Sequence, residues 1–393
     1  MRRVLTYSLL LVAGMFLSQL PIVQSSNAAI MPLTMIFLAY IMIEVGMEFD
    51  IDKSRLSSYA VDYGIAMGAA AVPWICSALY FWWFFSLGFK ESLLVGRFAS
   101  PTSAGILFTM LAAAGLAATW VYKKARVLAI FDDLDTVLLM IPLKMMLIGF
   151  EPKLLILISA VFLFLAAGYF CIHWLPVPTS KVWMVIYAVL VWGVTYAFDH
   201  VTELHLEVLV PAFALGCVIK SDHLHGSAND AETGRGTSSY ESRAQTVLDR
   251  AIKGGFMLLA GMALPPIQLG GMAVVPVLAH VILITFVSNI GKCVPLMAYR
   301  DEATLRERVA LSIGMFPRGE VGIGVLLVSL EIFRQQNIVD SPAIQQSVTV
   351  GALSLALNLA LTGTFILAMI RVLRRPSASG EKCAAATLPS GHV

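Results

Sequence analysis

Ala129-Ile-Phe-Asp-Asp-Leu-Asp-Thr136 places three carboxylates inside one continuous apolar run. A charged side chain in a bilayer costs about 2.5–3.5 kcal/mol on insertion scales, so three acids in one span need a function or a partner. The alternative is a packed polar cluster that joins helices, but adjacent acids repel each other, and Ser or Asn would serve packing better. The pattern therefore favours a site for cations and protons. On a helix, Asp132 and Asp133 lie about 100° apart, whereas Asp132, Asp135 and Thr136 share one face.

The composition is that of a membrane protein, so a lipid bilayer is the expected surrounding. Of the 393 residues, 58% are hydrophobic and only 13% are charged. No basic tract with interleaved aromatic residues is present in the sequence, so nucleic acid is not an expected partner. The five cysteines show no zinc-binding spacing, and no cofactor is expected.

Apolar runs of about 20 residues predict an all-α polytopic membrane protein with about twelve transmembrane helices. The predicted spans are residues 4–23, 31–49, 59–86, 91–119, 127–148, 154–174, 182–199, 205–220, 251–268, 272–298, 309–332 and 346–371. Two of these spans are interrupted. Span 91–119 contains Ser100-Pro-Thr-Ser-Ala-Gly105, and span 309–332 contains Pro317-Arg-Gly-Glu-Val-Gly322.

One long polar connection divides the chain into two membrane halves. The first half is predicted at 1–220, a flexible cytoplasmic loop at 221–249, the second half at 250–372 and a disordered tail at 373–393. In the predicted twelve-span topology, 20 of the 27 Lys and Arg residues lie on the side of the membrane that holds this loop, and three lie on the other side. This asymmetry predicts a cell (inner) membrane protein with both termini in the cytoplasm. The first apolar run also resembles a cleaved signal peptide, but its length favours a retained span.

The two interruptions occupy inverted positions. Pro101 and Pro317 each remove a backbone donor, and Gly105 and Gly319 ease departure from helical dihedral angles. The first break lies in the fourth span, which runs inward, and the second lies in the eleventh, which runs outward. Spans three to five and ten to twelve therefore look like inverted copies, and paired interruptions of this kind indicate a transporter site.

Polar residues surround both breaks, which ordinary proline kinks would not explain. Lys292, in the tenth span, needs an anion, and the aspartates of the fifth span are the obvious partners. Arg97 precedes the first break by one turn and has either Glu44 or Asp62 as its candidate partner. The other polar residues at the breaks are Ser100, Thr102, Ser103, Arg318 and Glu320.

Together these motifs resemble the monovalent cation:proton antiporters of the sodium/proton exchanger superfamily, in the bacterial branch with paired aspartates. The resemblance depends on the Asp132-Asp133 pair, Lys292, both breaks and the phrase Gly46-Met-Glu-Phe-Asp50. It covers the chain from about residue 32 to residue 371. It implies the sodium/proton antiporter fold, in which a six-helix core of spans three to five and ten to twelve moves against a dimerisation panel of a homodimer.

The resemblance also implies roles for individual residues. Asp133 matches the aspartate that carries the cation or the protons, and Asp132 matches its neighbour, which pairs with the lysine matched by Lys292. Thr102 matches a polar group of the first break, and we count the adjacent Ser103 in the ion site.

The chain departs from the family pattern at two positions. Asp135 adds a third acid where an apolar or small residue is usual. Leu128 stands where electroneutral relatives carry a glutamate, so Arg318 needs another anion, either Glu320 or Asp135. Asp135, Arg318 and Glu320 are predicted to support the site through salt bridges.

The predicted function is the exchange of a monovalent cation, Na⁺ in preference to K⁺, for protons by alternating access. Carboxylates that bind either a partly dehydrated cation or protons, but never both fully, couple the two flows by competition. The paired aspartates imply that the exchange is electrogenic. The alternatives are a potassium efflux channel that lacks its regulatory domain and an intramembrane aspartyl enzyme. Such enzymes pair acids from two helices, whereas here the acids are adjacent on one helix.

Overall fold

The computed structural model describes residues 2–47, 56–103, 107, 111, 116, 119–148, 159, 163, 166, 170, 177–202, 208–219, 239–265 and 274–374. In these ranges the chain is almost entirely α-helical. The helices are α1 Arg2–Leu17, α2 Pro21–Ser25, α3 Asn27–Met47, α4 Leu56–Phe84, α5 Phe89–Gly96, α6 Trp120–Leu138, α7 Met140–Ile148, α8 Lys181–Thr202, α9 Leu209–Val218, α10 Ser239–Ala263, α11 Val274–Gly291, α12 Val294–Ala298, α13 Leu305–Gly314, α14 Glu320–Gln335 and α15 Pro342–Arg374.

Within the described ranges, five segments are long and apolar enough to cross a membrane. They are Asn27–Met47, Tyr59–Phe84, Lys181–Phe198, Val274–Ala298 and Pro342–Leu373, and each coincides with one predicted span. The shorter apolar helices Leu5–Leu17 and Leu209–Val218 occupy the first and eighth predicted spans. Nearly all of the predicted span 154–174 lies outside the described residues.

The last part of the predicted flexible loop is helical. Residues 221–238 lie outside the described residues, but α10 begins at Ser239, so residues 239–249 are helical. This stretch contains Glu, Arg, Ala, Gln and Leu, which are good helix formers, and it continues directly into the apolar part of α10. The predicted tail lies outside the described residues after Arg374.

Five helices, α1, α3, α8, α9 and α10, form one bundle, which we call the panel. Glycines let its helices approach closely, as is common between membrane helices. A Cβ atom added to Gly261 of α10 would lie 2.9 Å from the Cα atom of Gly14 in α1. Likewise, a Cβ atom on Gly216 of α9 would lie 2.9 Å from the Cα atom of Gly46 in α3.

The second bundle, which we call the core, contains α4, α5, α6, α11, α13, α14 and α15, and it holds both predicted breaks. After α5 the chain makes a short 3₁₀ turn at Arg97–Ala99 and then leaves helical geometry through Ser103. After α13 it is non-helical until α14 begins at Glu320. Residues 104–106 lie outside the described part, so Gly105 of the predicted first break is not described.

The two breaks contact each other inside the core. The Ser103 N–H group donates a hydrogen bond to the Pro317 carbonyl oxygen at 2.8 Å, and the Arg318 Nε atom donates to the Ala99 carbonyl oxygen at 3.0 Å. A Cβ atom on Gly319 would lie 2.7 Å from the Ser103 hydroxyl oxygen, so this close approach requires glycine. Non-helical backbone at this depth is tolerated because other parts of the protein surround it.

Candidate cation and proton site

Helix α6 brings the three acids into the interior of the core beside the two breaks. The exposed fraction is 0% for Asp132, 1% for Asp133 and 0% for Asp135. Their helix continues without interruption from Trp120 to Leu138, so the acids keep the angular separations expected from their spacing. Carboxylates at such burial require cations, protons or hydrogen-bond donors.

Lys292 and Asp132 form the predicted ion pair. The Lys292 Nζ atom lies 2.6 Å from Asp132 Oδ2 and 2.8 Å from Asp132 Oδ1, and both side chains are fully buried. The same ammonium group donates to the carbonyl oxygen of Ser100 in the first break. Lys292 follows the last residue of α11, Gly291, so the pair joins the end of α11, the first break and the middle of α6.

Hydroxyl groups of the first break tie it to neighbouring elements. Thr102 donates to the Met315 carbonyl oxygen at 3.1 Å, and its hydroxyl also faces the Asp132 carboxylate. The Thr136 hydroxyl bonds with the Ser100 hydroxyl at 3.0 Å. The Ser103 hydroxyl is buried and has no hydrogen-bond partner among the described residues, so its oxygen is available to a bound cation.

Asp133 lies about 100° around α6 from Asp132. The positive charge of Lys292 acts on it, as well as on its direct partner Asp132. The structure therefore brings the predicted carrier acid, its neighbour and the lysine into one buried group.

Arg318 lies in the second break and is fully buried, but its hydrogen-bond partners are neutral. Its Nη1 atom donates to Asn289 Oδ1 at 2.6 Å, its Nη2 atom to the Ser288 carbonyl oxygen at 2.8 Å, and its Nε atom to Ala99. Its backbone N–H group donates to Asn358 Oδ1 at 3.0 Å. The guanidinium group thus joins the first break to α11.

The predicted partners of Arg318 were wrong, because the structure shows no ion pair between it and either Glu320 or Asp135. Unwound backbone leaves carbonyl oxygens unused, and a guanidinium group with five donors can bind several of them. Glu320 instead occupies the first turn of α14, where the helix dipole favours an acid. It also acts electrostatically on Lys253 of the panel.

The sequence analysis missed two asparagines. Asn289 accepts from Arg318 and also accepts from the side-chain amide of Asn358 at 2.9 Å. Each is an amide within a largely apolar predicted span, and an amide buried between helices normally makes hydrogen bonds there. That signal was present in the sequence, but it does not say which group the amide contacts.

Arg97 is bonded to the backbone of α6. Its Nη2 atom donates to the Thr136 carbonyl oxygen at 3.3 Å. Asp62 contacts Lys124 at 2.7 Å, and Glu44 contacts lysines of the panel. Both acids therefore form ion pairs with lysines in this structure.

The charged residues Glu44, Lys181, Asp249 and Lys253 form what we call the panel cluster. Lys181 Nζ lies 2.6 Å from Glu44 Oε1, and Lys253 Nζ lies 2.7 Å from Glu44 Oε2. Lys253 also lies 3.3 Å from Asp249, one turn away on α10. The cluster thereby joins α3, α8 and α10.

A smaller polar group closes one end of the core. The Tyr299 hydroxyl donates to Asp62 Oδ1 at 2.7 Å, and the Lys124 ammonium group lies 4.8 Å from the Tyr299 ring centroid. Burial, together with the hydrogen bond to Asp62, raises the pKa of Tyr299. Tyr299 therefore remains a neutral donor, which holds α4 and α6 against the segment after α12.

These features define a class: a helical membrane protein in which two broken helices meet beside buried, partly paired acids, as in secondary transporters. The sequence profile of the family described as "Sodium/hydrogen exchanger, transmembrane" matches residues 3–373, and the chain belongs to this family. It is an integral membrane protein and a cation/proton antiporter rather than an enzyme.

Solved structures show the same fold. The structure of the sodium proton antiporter MjNhaP1 from Methanocaldococcus jannaschii at pH 8 is similar with a TM-score of 0.63 and 13% identity, over 93% of this chain and 92% of that one. An electron-microscopy structure of the same antiporter gives a TM-score of 0.56 and 13% identity, over 94% and 92%. No curated protein sequence matches this chain.

Proposed function

We propose that this antiporter exchanges Na⁺, and K⁺ less readily, for protons at Asp133. The observation that carries the proposal is the buried Lys292–Asp132 pair at the point where the two breaks meet. Because Lys292 binds Asp132 through both carboxylate oxygens, the neighbouring acid Asp133 is the one offered to the transported ion. A cation and a proton compete for this carboxylate, and the competition couples their flows.

The first break supplies further oxygen atoms for the cation. Hard monovalent cations bind carboxylate, hydroxyl and carbonyl oxygens, and Thr102 and Ser103 provide hydroxyl groups beside the acids. The Ser103 hydroxyl oxygen is the best placed of these because it bonds with no described residue. No cofactor takes part in the proposed exchange.

We propose that the exchange is electrogenic because the site holds a second titratable unit. When a cation displaces the proton from Asp133, the Asp132–Lys292 pair would release a second proton, and both protons would be taken up again after the cation has left. More than one proton then moves for each monovalent cation. The paired aspartates of the family resemblance support the same conclusion.

Alternating access requires one bundle to move, and we propose that the core moves against the panel. Both breaks and all three acids of α6 lie in the core, so the site would travel with it. The panel has its own internal ties through close glycine contacts and the panel cluster. The family resemblance supports a homodimer formed through this panel.

Exchange in proteoliposomes tests the proposed function. An internal pH-sensitive dye reports proton movement while Na⁺, K⁺ and Li⁺ gradients are imposed in turn, with a membrane-potential dye read in parallel. We expect Na⁺ to drive proton counterflow most strongly and to generate a membrane potential. Cation flux without proton counterflow would indicate a channel instead.

The charge asymmetry of the sequence supports an inner-membrane location with both termini in the cytoplasm. Tyr240, near the start of α10, then lies on the cytoplasmic side. In a background without the native cysteines, Tyr240→Cys should react with an impermeant thiol reagent only after the cells are opened. Labelling of intact cells would refute this orientation.

A further inference from the structure

A groove of about 550 Å³ lies between the panel and the core. The panel lines it with residues of α3 and α8, and the core lines it with the end of α14. Its described lining residues include none from α6 or from the two breaks, so it is separate from the cation and proton site. The volume is within the range of ligand pockets in proteins. A molecule bound there contacts both bundles at once.

The groove lies at the ends of α3 and α8 that are opposite to the panel cluster. On α3 it includes Asn27, the first residue of the helix, whereas Glu44 of the panel cluster lies near the other end. On α8 it includes Trp192 and Tyr196, in the second half of the helix, whereas Lys181 of the panel cluster is the first residue. In the orientation proposed above, the groove therefore faces the outer side of the membrane.

Hydrogen-bond acceptors lie together at the polar end of the groove. The Asn27 Oδ1 atom is buried and has no hydrogen-bond partner among the described residues, so it is an acceptor that still needs a donor. The carboxylate of Glu331 and the side-chain amide of Gln335 also line the groove. A primary ammonium group carries three N–H donors and can bind several such acceptors at once.

Arg334 brings a positive charge to the same end of the groove. Its Nη2 atom donates to the Ala263 carbonyl oxygen at 3.0 Å, and its Nη1 atom lies 3.4 Å from Glu331 Oε2. The ion pair is weak, because the two side chains are 25% and 39% exposed. A guanidinium group has five donors, and these contacts use two of them. Arg334 can therefore bind a phosphate group as well.

The deeper part of the groove is apolar. Met31 and Met35 line it one and two turns further along α3 than Asn27, and methionine side chains adapt to ligands of different shape. Trp192 and Tyr196 stack beside them with ring centroids 5.4 Å apart, and such rings are enriched where the apolar part of a membrane meets the headgroups. The groove thus changes from polar to apolar over about 12 Å, as a lipid molecule does.

We propose that this groove binds phosphatidylethanolamine. The phosphate binds Arg334, the ammonium group binds Asn27 and Glu331, and part of one acyl chain lies along the apolar side of α3. One acid and one base at the polar end match a zwitterionic headgroup better than an anionic one. Phosphatidylcholine carries the same charges, but its quaternary ammonium group has no N–H to donate to Asn27. The inference goes beyond the proposed exchange, because lipid binding does not require transport.

Native mass spectrometry of the purified, delipidated protein measures this binding. Phosphatidylethanolamine, phosphatidylcholine and phosphatidylglycerol with identical acyl chains are added separately over a concentration series. Phosphatidylethanolamine should bind most tightly. Arg334→Gln should weaken its binding by about tenfold, because a charge-assisted hydrogen bond is lost. Glu331→Gln should reduce the preference over phosphatidylglycerol, because the acid that attracts the ammonium group is neutralised. Arg300→Gln removes an exposed arginine outside the groove and should leave the binding unchanged.

A pair of neighbouring exposed alanines tests whether the lipid occupies the groove. Ala28 lines it, whereas Ala29 is the next residue and does not. Ala28→Trp fills the groove and should weaken phosphatidylethanolamine binding by a factor similar to that of Arg334→Gln. Ala29→Trp adds the same ring beside the groove and should have no effect. Both positions are on the surface, so the variants should fold.

Three outcomes would overturn the proposal. The first is equal binding of the three lipids, which would indicate unspecific contact with the apolar surface. The second is a preference for phosphatidylglycerol, which would make this a site for anionic lipids. The third is the same effect in Ala28→Trp and Ala29→Trp, which would place the lipid elsewhere. The measurement uses no ion gradient, so its failure would leave the proposed exchange untouched.

Discussion

The core site and the panel cluster contain similar ion pairs at similar distances, but in different surroundings. Lys292 and Asp132 are 0% exposed, whereas the four side chains of the panel cluster are 19–22% exposed. In the core each charge has one fixed set of partners. In the panel two lysines share one glutamate, and Asp249 provides a second acid. The same pair distance of 2.6 Å therefore represents two different energetic situations.

The comparison shows why one cluster suits transport and the other suits assembly. Removing one partner of a buried pair leaves a charge that neither water nor salt can stabilise. Partly solvated pairs contribute little, and salt screens them. A charge added to or removed from the core site therefore changes the energy of the protein strongly, and under the proposed alternating access this change would couple the two ions. The panel cluster joins three helices without such sensitivity.

The largest expected effect is that of breaking the core pair. Lys292→Ala should lower the free energy of unfolding by about 3–5 kcal/mol, because Asp132 would remain buried and unpaired. Adding Asp132→Asn should restore part of that loss, since the orphaned charge is then removed. Thermal unfolding in detergent measures both. Losses that simply add in the double variant would show that the two residues do not interact.

A smaller effect is expected at the neutral support of the second break. Asn358→Ala removes the acceptor of the Arg318 backbone N–H group and a donor to Asn289, so about 1–3 kcal/mol should be lost. Thr362→Val is the matched control on the same helix, because among the described residues the Thr362 hydroxyl bonds only with the local Asn358 carbonyl oxygen. Equal losses in the two variants would mean that Asn358 does not support the break.

The smallest effect is expected in the panel cluster. Glu44→Gln should cost about 1 kcal/mol or less at low salt, because the pairs are partly exposed and Asp249 remains for Lys253. The difference should shrink at high salt, whereas the loss in Lys292→Ala should not. Thermal unfolding at two ionic strengths compares the regions directly. If the loss of unfolding free energy in Glu44→Gln did not depend on salt, the panel cluster would behave like the buried core pair, and the comparison would fail.

Parts of this site were predictable from the sequence because local chemistry decides them. Pro101 and Pro317 cannot continue a regular helix, and both breaks occur there. Lys292 lies in an apolar run, and few anions are available to it. The free-energy cost of an unpaired charge in the membrane was therefore enough to predict its pairing with an acid of α6. Both predictions use features of a single segment or the scarcity of partners.

Other parts could not be predicted, because they depend on which helix faces meet. Arg318 was expected to bind an acid, but the packing offered it carbonyl oxygens and Asn289 instead. The partners of Glu44 and Asp62 are lysines from helices distant in sequence.

The central claim is that Asp133 carries the transported ions, and Asp133→Asn in proteoliposomes tests it most directly. The variant should fold and unfold like the wild-type protein, but Na⁺-driven proton counterflow should fall below about a tenth of the wild-type rate, because the exchanging carboxylate in the buried site is lost. Asp135→Asn is the control on the same helix and should keep most of the exchange. Counterflow in Asp133→Asn above about a tenth of the wild-type rate, or its loss in Asp135→Asn alone, would contradict the assignment.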